Sequence, residues 1–74
     1  MNNYYLEIRK KQDMLFERYG GMLGIPQLME VLGCSRRTAI KWAESHRIGT
    51  PVCGRIKYET DQVAKIIVSE RGMV

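Results

Sequence analysis

The chain has 74 residues, with 12 Lys and Arg against 8 Asp and Glu, a formal net charge of +4 and 45% apolar residues. That length allows one small core and excludes a multidomain machine or a barrel enzyme. The apolar content is that of a globular chain, and the basic excess points to an anionic partner without naming it. No apolar run reaches the roughly 18 to 20 residues of a bilayer span, and residues 1–11 mix charge with tyrosine where a signal peptide would be apolar. A cytoplasmic protein with no membrane partner is the expectation. Cys34 and Cys53 lie far apart and the chain has one histidine, which suits neither a zinc-ligand set nor a redox C-x-x-C pair. No metal, disulfide or other cofactor is expected.

From Asn3 to Tyr19, the apolar positions Tyr5, Ile8, Leu15, Phe16 and Tyr19 fall within an arc of about 100° at helical spacing, interrupted by Gln12. This predicts an amphipathic N-terminal helix that Gly20 and Gly21 end. Met22 and Leu23 then form a minimal strand or an extended link. Gly24 is a tolerable N-cap, Pro26 suits a first helical turn, and Leu28, Met29, Val31 and Leu32 supply a buried stripe up to Gly33. Gly33, Cys34 and Ser35 make a turn in which glycine takes a positive φ, Cys34 points inward and Ser35 caps the next helix. In that helix Ala39, Trp42, Ala43 and His46 share a packing arc of about 100°, whereas Arg36, Arg37, Ile40, Lys41 and Glu44 occupy the opposing arc of about 140°. A small hairpin around Cys53 and Gly54 follows, with Val52, Ile56 and Tyr58 as inward candidates. Thr60 as N-cap and Asp61 as first-turn acid open a last helix, in which Val63, Ile66 and Ile67 pack and Gly72 marks the end. The chain thus divides into a helix over residues 1–19 and a module over 20–74.

Residues 35–58 hold Arg36, Arg37, Lys41, Arg47, Arg55 and Lys57 against Glu44 alone, a local +5 that exceeds the charge of the whole chain. A solvated charged face is the ordinary explanation of such a run; a field that draws an anionic partner is the functional one. Two short helices joined by so tight a turn cross steeply, which frees the second to enter a groove. The major groove of B-DNA admits one helix, so Arg36, Arg37, Ile40 and Lys41 are candidates for base-edge contact. Arginine donates twice to guanine, lysine does so less rigidly or holds phosphate, and isoleucine meets a thymine methyl. Two cations at a helix start oppose its dipole, a cost that a phosphate or guanine offsets. Arg55, beside the hairpin tip, can enter the neighbouring minor groove. Lys57 lies on the same strand face, and it and Arg47 are suited to phosphate neutralisation.

Residues 16–19 (FERY), 22–38 (MLGIPQLMEVLGCSRRT) and 52–58 (VCGRIKY) together resemble the excisionase group of winged helix-turn-helix proteins, whose helix-turn-helix is shared with MerR-type regulators. The resemblance spans residues 16 to 70, and its middle segment is the most specific. It implies a mostly α fold with a small β-hairpin wing, here with an extra N-terminal helix. It also implies a nucleoid-associated architectural factor of a phage or mobile element. Such a factor binds double-stranded DNA near attachment sites, bends it, sits beside copies of itself and directs an integrase toward excision. The family usually opens its first helix with Ser or Thr and carries a small residue where this chain has Gly24 and Met29, which implies a weaker cap and wider interhelix packing. Residues 1–15 lie outside the shared pattern, and their helix either packs on the module or mediates self-association.

A small MerR-like or phage transcriptional regulator is the nearest alternative, protecting a promoter operator instead of bending an attachment site. A protein-interaction adaptor without DNA binding is another, because Tyr4, Tyr5, Leu6 and Met14 edge the N-terminal helix. An enzyme is not expected: the sequence offers no nucleophile with its base, no paired carboxylates and no phosphate-binding glycine loop. His46 reads as a partly buried core or helix-end residue, Cys34 as core, Cys53 as incidental but oxidisable, and Trp42 and Tyr58 as core and not base-stacking groups.

Overall fold

The computed structural model describes residues 4–72, in the order α1 (Tyr4–Tyr19), β1 (Met22–Leu23), α2 (Ile25–Leu32), α3 (Arg36–Ser45), β2 (Thr50–Val52), β3 (Arg55–Glu59) and α4 (Thr60–Gly72). The chain is mostly helical, with one small antiparallel sheet in the order β1-β3-β2. Asn3, the expected first residue of the N-terminal helix, lies outside the described residues.

α1 packs along α4, and its buried seam differs from the expected arc. Ile8 and Leu15 are buried, but Tyr5 is 76% and Phe16 58% exposed. The seam instead runs Ile8, Gln12, Leu15, Tyr19, a four-three-four spacing that gives the narrow stripe one facing helix covers. Gln12 does not interrupt it: half-buried, its amide donates to the Asp61 carbonyl at 3.3 Å in the opening turn of α4. Gly20, at φ +83, then turns the chain out of the helix.

α2 and α3 are joined by Gly33, Cys34 and Ser35, as the sequence predicts. Gly33 is left-handed at φ 69 and its N–H donates to the Met29 carbonyl at 2.8 Å, while the Ser35 hydroxyl accepts from the Thr38 N–H at 3.3 Å. Gly24 has no side chain with which to cap α2. Gln27 compensates, its side-chain oxygen accepting the Gly24 N–H at 2.9 Å. Leu28 is fully buried, and Ala39 and Ala43 turn the inner face of α3 onto it in a core shared with Leu15, Leu23, Tyr58, Val63, Ala64 and Ile67. Leu15 makes α1 a contributor to that same core.

The β2–β3 hairpin turns at Cys53 and Gly54, both at positive φ (52 and 79), the backbone of a type I′ turn. A two-residue turn sets Val52 opposite Arg55 and Pro51 opposite Ile56. Val52 therefore shares a face with Arg55 and Lys57, and it is exposed, not inward. Ile56 shares the inner face with buried Tyr58 yet is 48% exposed, because it lines an open groove between the hairpin and α3. Gly49, at φ +127, admits the sheet closely: a Cβ there would lie 3.2 Å from both Ile56 Cγ2 and Tyr58 Cε1. Gly49→Ala should cost about 2 kcal/mol, the scale of a glycine-only backbone conformation forced on another residue. A urea unfolding midpoint equal to that of the wild type would contradict this close approach.

Thr60 departs from its expected role as N-cap. It is the first residue of α4 and fully buried, its hydroxyl donating to the Gly20 carbonyl at 2.6 Å and its N–H to the Gly21 carbonyl at 3.0 Å. The hydroxyl thus satisfies the turn after α1 instead of a free amide of α4. Along α4, Val63, Ala64, Ile67 and Val68 are buried, and Ile66 is only half-buried.

Candidate functional site

On its side away from the core α3 carries two stripes of residues. Arg36, Ile40 and Glu44 follow one another at four-residue spacing, and Arg37 and Lys41 form a parallel pair one position on, about 100° further round the helix. The first stripe faces a groove of about 760 Å³ between α3, the opening of α2 and the hairpin. Arg36, Ile40 and Glu44 line one wall, and Arg55, Lys57 and Tyr58 of β3 line the other. The residues of Gly24–Gln27 close one end. Of the site residues expected from sequence, the structure therefore brings Arg36, Ile40, Arg55 and Lys57 together. Arg37 and Lys41 stand exposed on the neighbouring stripe, outside the groove. Arg47 is exposed in the turn after α3, left-handed at φ 56, and does not line the groove either.

The charges around the groove are uncompensated. Among the described residues the ion pairs are Arg18 with Glu30 and His46 with Glu70, so none of Arg36, Arg37, Lys41, Arg47, Arg55 and Lys57 has a carboxylate partner. Three cations against Glu44 leave the groove walls positive, and like charges crowded in a concave surface focus potential that a mobile or macromolecular anion relieves. Arg18 is committed elsewhere, at 3.0 Å from Glu30. Tyr19 also donates its hydroxyl to Glu30, joining the end of α1 to α2. That hydrogen bond raises the Tyr19 phenol and holds the Glu30 carboxyl below the usual carboxylate range.

Tyr58 was legible only as a core residue. Its ring is buried, at 4% exposure, but the residue also lines the groove between the charges of Arg36 and Glu44. Burial above all pushes its phenol up, the Glu44 carboxylate adds to the shift and Arg36 opposes it. Alternation with Lys57 along β3 placed the ring inward; nothing in that period tells which buried ring ends at a groove.

At its other end α3 is fastened to α4. The Trp42 indole N–H donates to a Glu70 oxygen at 3.0 Å, and the His46 ring lies 3.5 Å from the other Glu70 oxygen and 4.8 Å, centroid to centroid, from Trp42. His46 is the C-cap of α3, half-buried, as its helix-end reading anticipated. Cys34 packs half-buried against the core, and Cys53 is exposed at the hairpin tip. Among the described residues no group of three or more His, Cys, Asp or Glu is placed to hold a metal ion, and no helix is long and apolar enough to cross a membrane. Comparison with protein-family models, with curated proteins and with solved structures finds no match.

Proposed function

We propose that the chain is a winged helix-turn-helix protein with an added N-terminal helix, which binds double-stranded DNA as an excisionase-like architectural factor. One observation carries this reading: Arg36, Arg55 and Lys57 surround a single groove, Arg37 and Lys41 continue the positive surface beside it, and none of the five has an ion-pair partner among the described residues. In this role the outer stripe of α3 enters the major groove and Arg55 at the hairpin tip reaches the adjacent minor groove, whose narrow form concentrates negative potential. Bending of an attachment site positions an integrase, and the bond-breaking chemistry belongs to that partner. Fluorescence titration of labelled duplex across a salt series tests the reading. Binding that weakens linearly in log–log form as salt rises supports it, because each neutralised phosphate releases counterions. Footprinting on flanking DNA then separates bending at arrayed sites from protection of a symmetric operator, the mark of a transcriptional regulator.

A second reading, a protein adaptor, draws on the exposed Tyr5, Leu6, Met14 and Phe16 of α1. It requires negligible duplex affinity at moderate salt, which the same titration reads. Within the DNA reading, Arg37→Ala should weaken specific binding by about 1–3 kcal/mol and relax preference at one base pair, the effect of losing a bidentate guanine contact. An equal loss on every sequence would instead make Arg37 a phosphate contact.

A further inference from the structure

The two walls of the groove belong to different parts of the fold, and whatever fixes one against the other decides whether both can meet a duplex at once. β3 runs into α4 without a loop, Glu59 being followed directly by Thr60. Thr60 is fully buried, and its hydroxyl and N–H donate to the Gly20 and Gly21 carbonyls. The hairpin and α4 therefore form one body. α3 packs chiefly on α2, across the tight turn that Gly33 and Ser35 make. Among the described residues, every side-chain hydrogen bond or ion pair between α3, with its C-cap, and α4 goes to Glu70. One Glu70 oxygen accepts from the Trp42 indole N–H at 3.0 Å, and the other lies 3.5 Å from His46 Nε2. Trp42 and His46 stand one helical turn apart, with ring centroids 4.8 Å from each other, and neither lines the groove. With 51% of its side chain exposed, Glu70 adds little to folding stability. Its two oxygens nevertheless engage two rings on one helix, and directional contacts at two points resist both rotation and tilt of α3.

We propose that Glu70 is a positioning residue for DNA recognition, setting the angle of α3 against the hairpin and so the placement of Arg36 and Ile40 relative to Arg55 across the groove. The inference rests on the DNA-binding reading. Base-edge contacts need the helix within about 0.5 Å and 10–20° of its productive pose, whereas long cationic side chains follow a phosphate over a wider range. Loss of the Glu70 clasp therefore lowers discrimination between sequences and leaves general duplex affinity in place.

Selection from a random-sequence duplex library with the full chain defines the preferred site, and Glu70→Ala and Glu70→Gln are then titrated on that site and on random duplex. Both variants remove the same charge, so the difference between them reads geometry alone. Glu70→Ala should bind the preferred site about fivefold more weakly than the wild type, the scale of one exposed polar pair. Glu70→Gln should stay within about twofold of the wild type, because its amide offers Trp42 an acceptor and a neutral imidazole a donor. On random duplex the two variants should match each other in affinity and in salt slope. Equal affinities of the two variants for the preferred site, or a wild type that binds without sequence preference, overturn the positioning role and leave DNA binding standing. A wild type that binds no duplex overturns both. If Glu70→Ala does not fold, Trp42→Phe takes its place, since it keeps a ring and removes only the N–H donor. A loss confined to the preferred site then supports the role, and wild-type affinity there overturns it.

Discussion

Replacing Arg36, Arg55 and Lys57 together by alanine should reduce duplex affinity by about two to three orders of magnitude near 0.1 M salt and flatten the salt slope by about 2.7 units, some 0.9 per lost phosphate contact. These three line one groove and have no carboxylate partners among the described residues, so their removal frees no buried anion and strains no packed side chain. Thermal stability should hold or rise slightly as mutual repulsion is relieved. A matched triple replacement of Arg9, Lys10 and Lys11 on α1, which removes the same charge from a surface outside the groove, should leave the slope nearly intact. Equal losses in the two triple variants would mean that net charge, and not convergence on the groove, drives binding.

Leu28→Ala should destabilise the fold by about 2–5 kcal/mol, the range for emptying a fully buried leucine site. Leu28 is 0% exposed and belongs to the same core as Ala39 and Ala43 of α3. Alanine is already the residue across that contact, so α3 has no bulk with which to refill the space. Cores of chains this small rarely supply more than about 3–5 kcal/mol in total, so the variant should be largely unfolded at 37 °C and should lose duplex binding with its fold. Urea unfolding at low temperature measures the loss as a fall in midpoint at constant slope. A cost below about 1 kcal/mol would mean that α2 is not docked as described.

Much of the chain order was legible from local chemistry. Gly33 past the end of α2, Ser35 before α3 and Pro26 in a first turn each mark a boundary through a backbone requirement that acts within a few residues, and each mark lies at an observed element end. The errors share a different cause. Tyr5 and Phe16 were counted into the seam of α1 because helical phase places them beside Ile8 and Leu15, but the width of a buried stripe depends on how many elements cover it, and α4 alone supplies most of that cover. Val52 was turned inward because its composition suits a core; the register imposed by the two-residue turn puts it on the face of Arg55. Thr60 looked like a cap by its position before a helix, and its hydroxyl instead serves a carbonyl forty residues earlier in the chain.

The candidate site divides the same way. Residue type and helical phase suffice to place Arg36, Arg37, Ile40 and Lys41 on the side of α3 away from the core, because Ala39, Trp42 and Ala43 share the opposite, packed arc. The split of those residues into a stripe facing the groove and a stripe beside it depends on where the hairpin stands, and that is set by β1 pairing with β3, a contact between segments far apart in sequence. The same pairing seats Tyr58 opposite Leu23, so that a residue buried in the core also lines the groove. Chain-local rules carry charge, caps and turns; the company each charge keeps comes from long-range packing, whose energy no window of sequence contains.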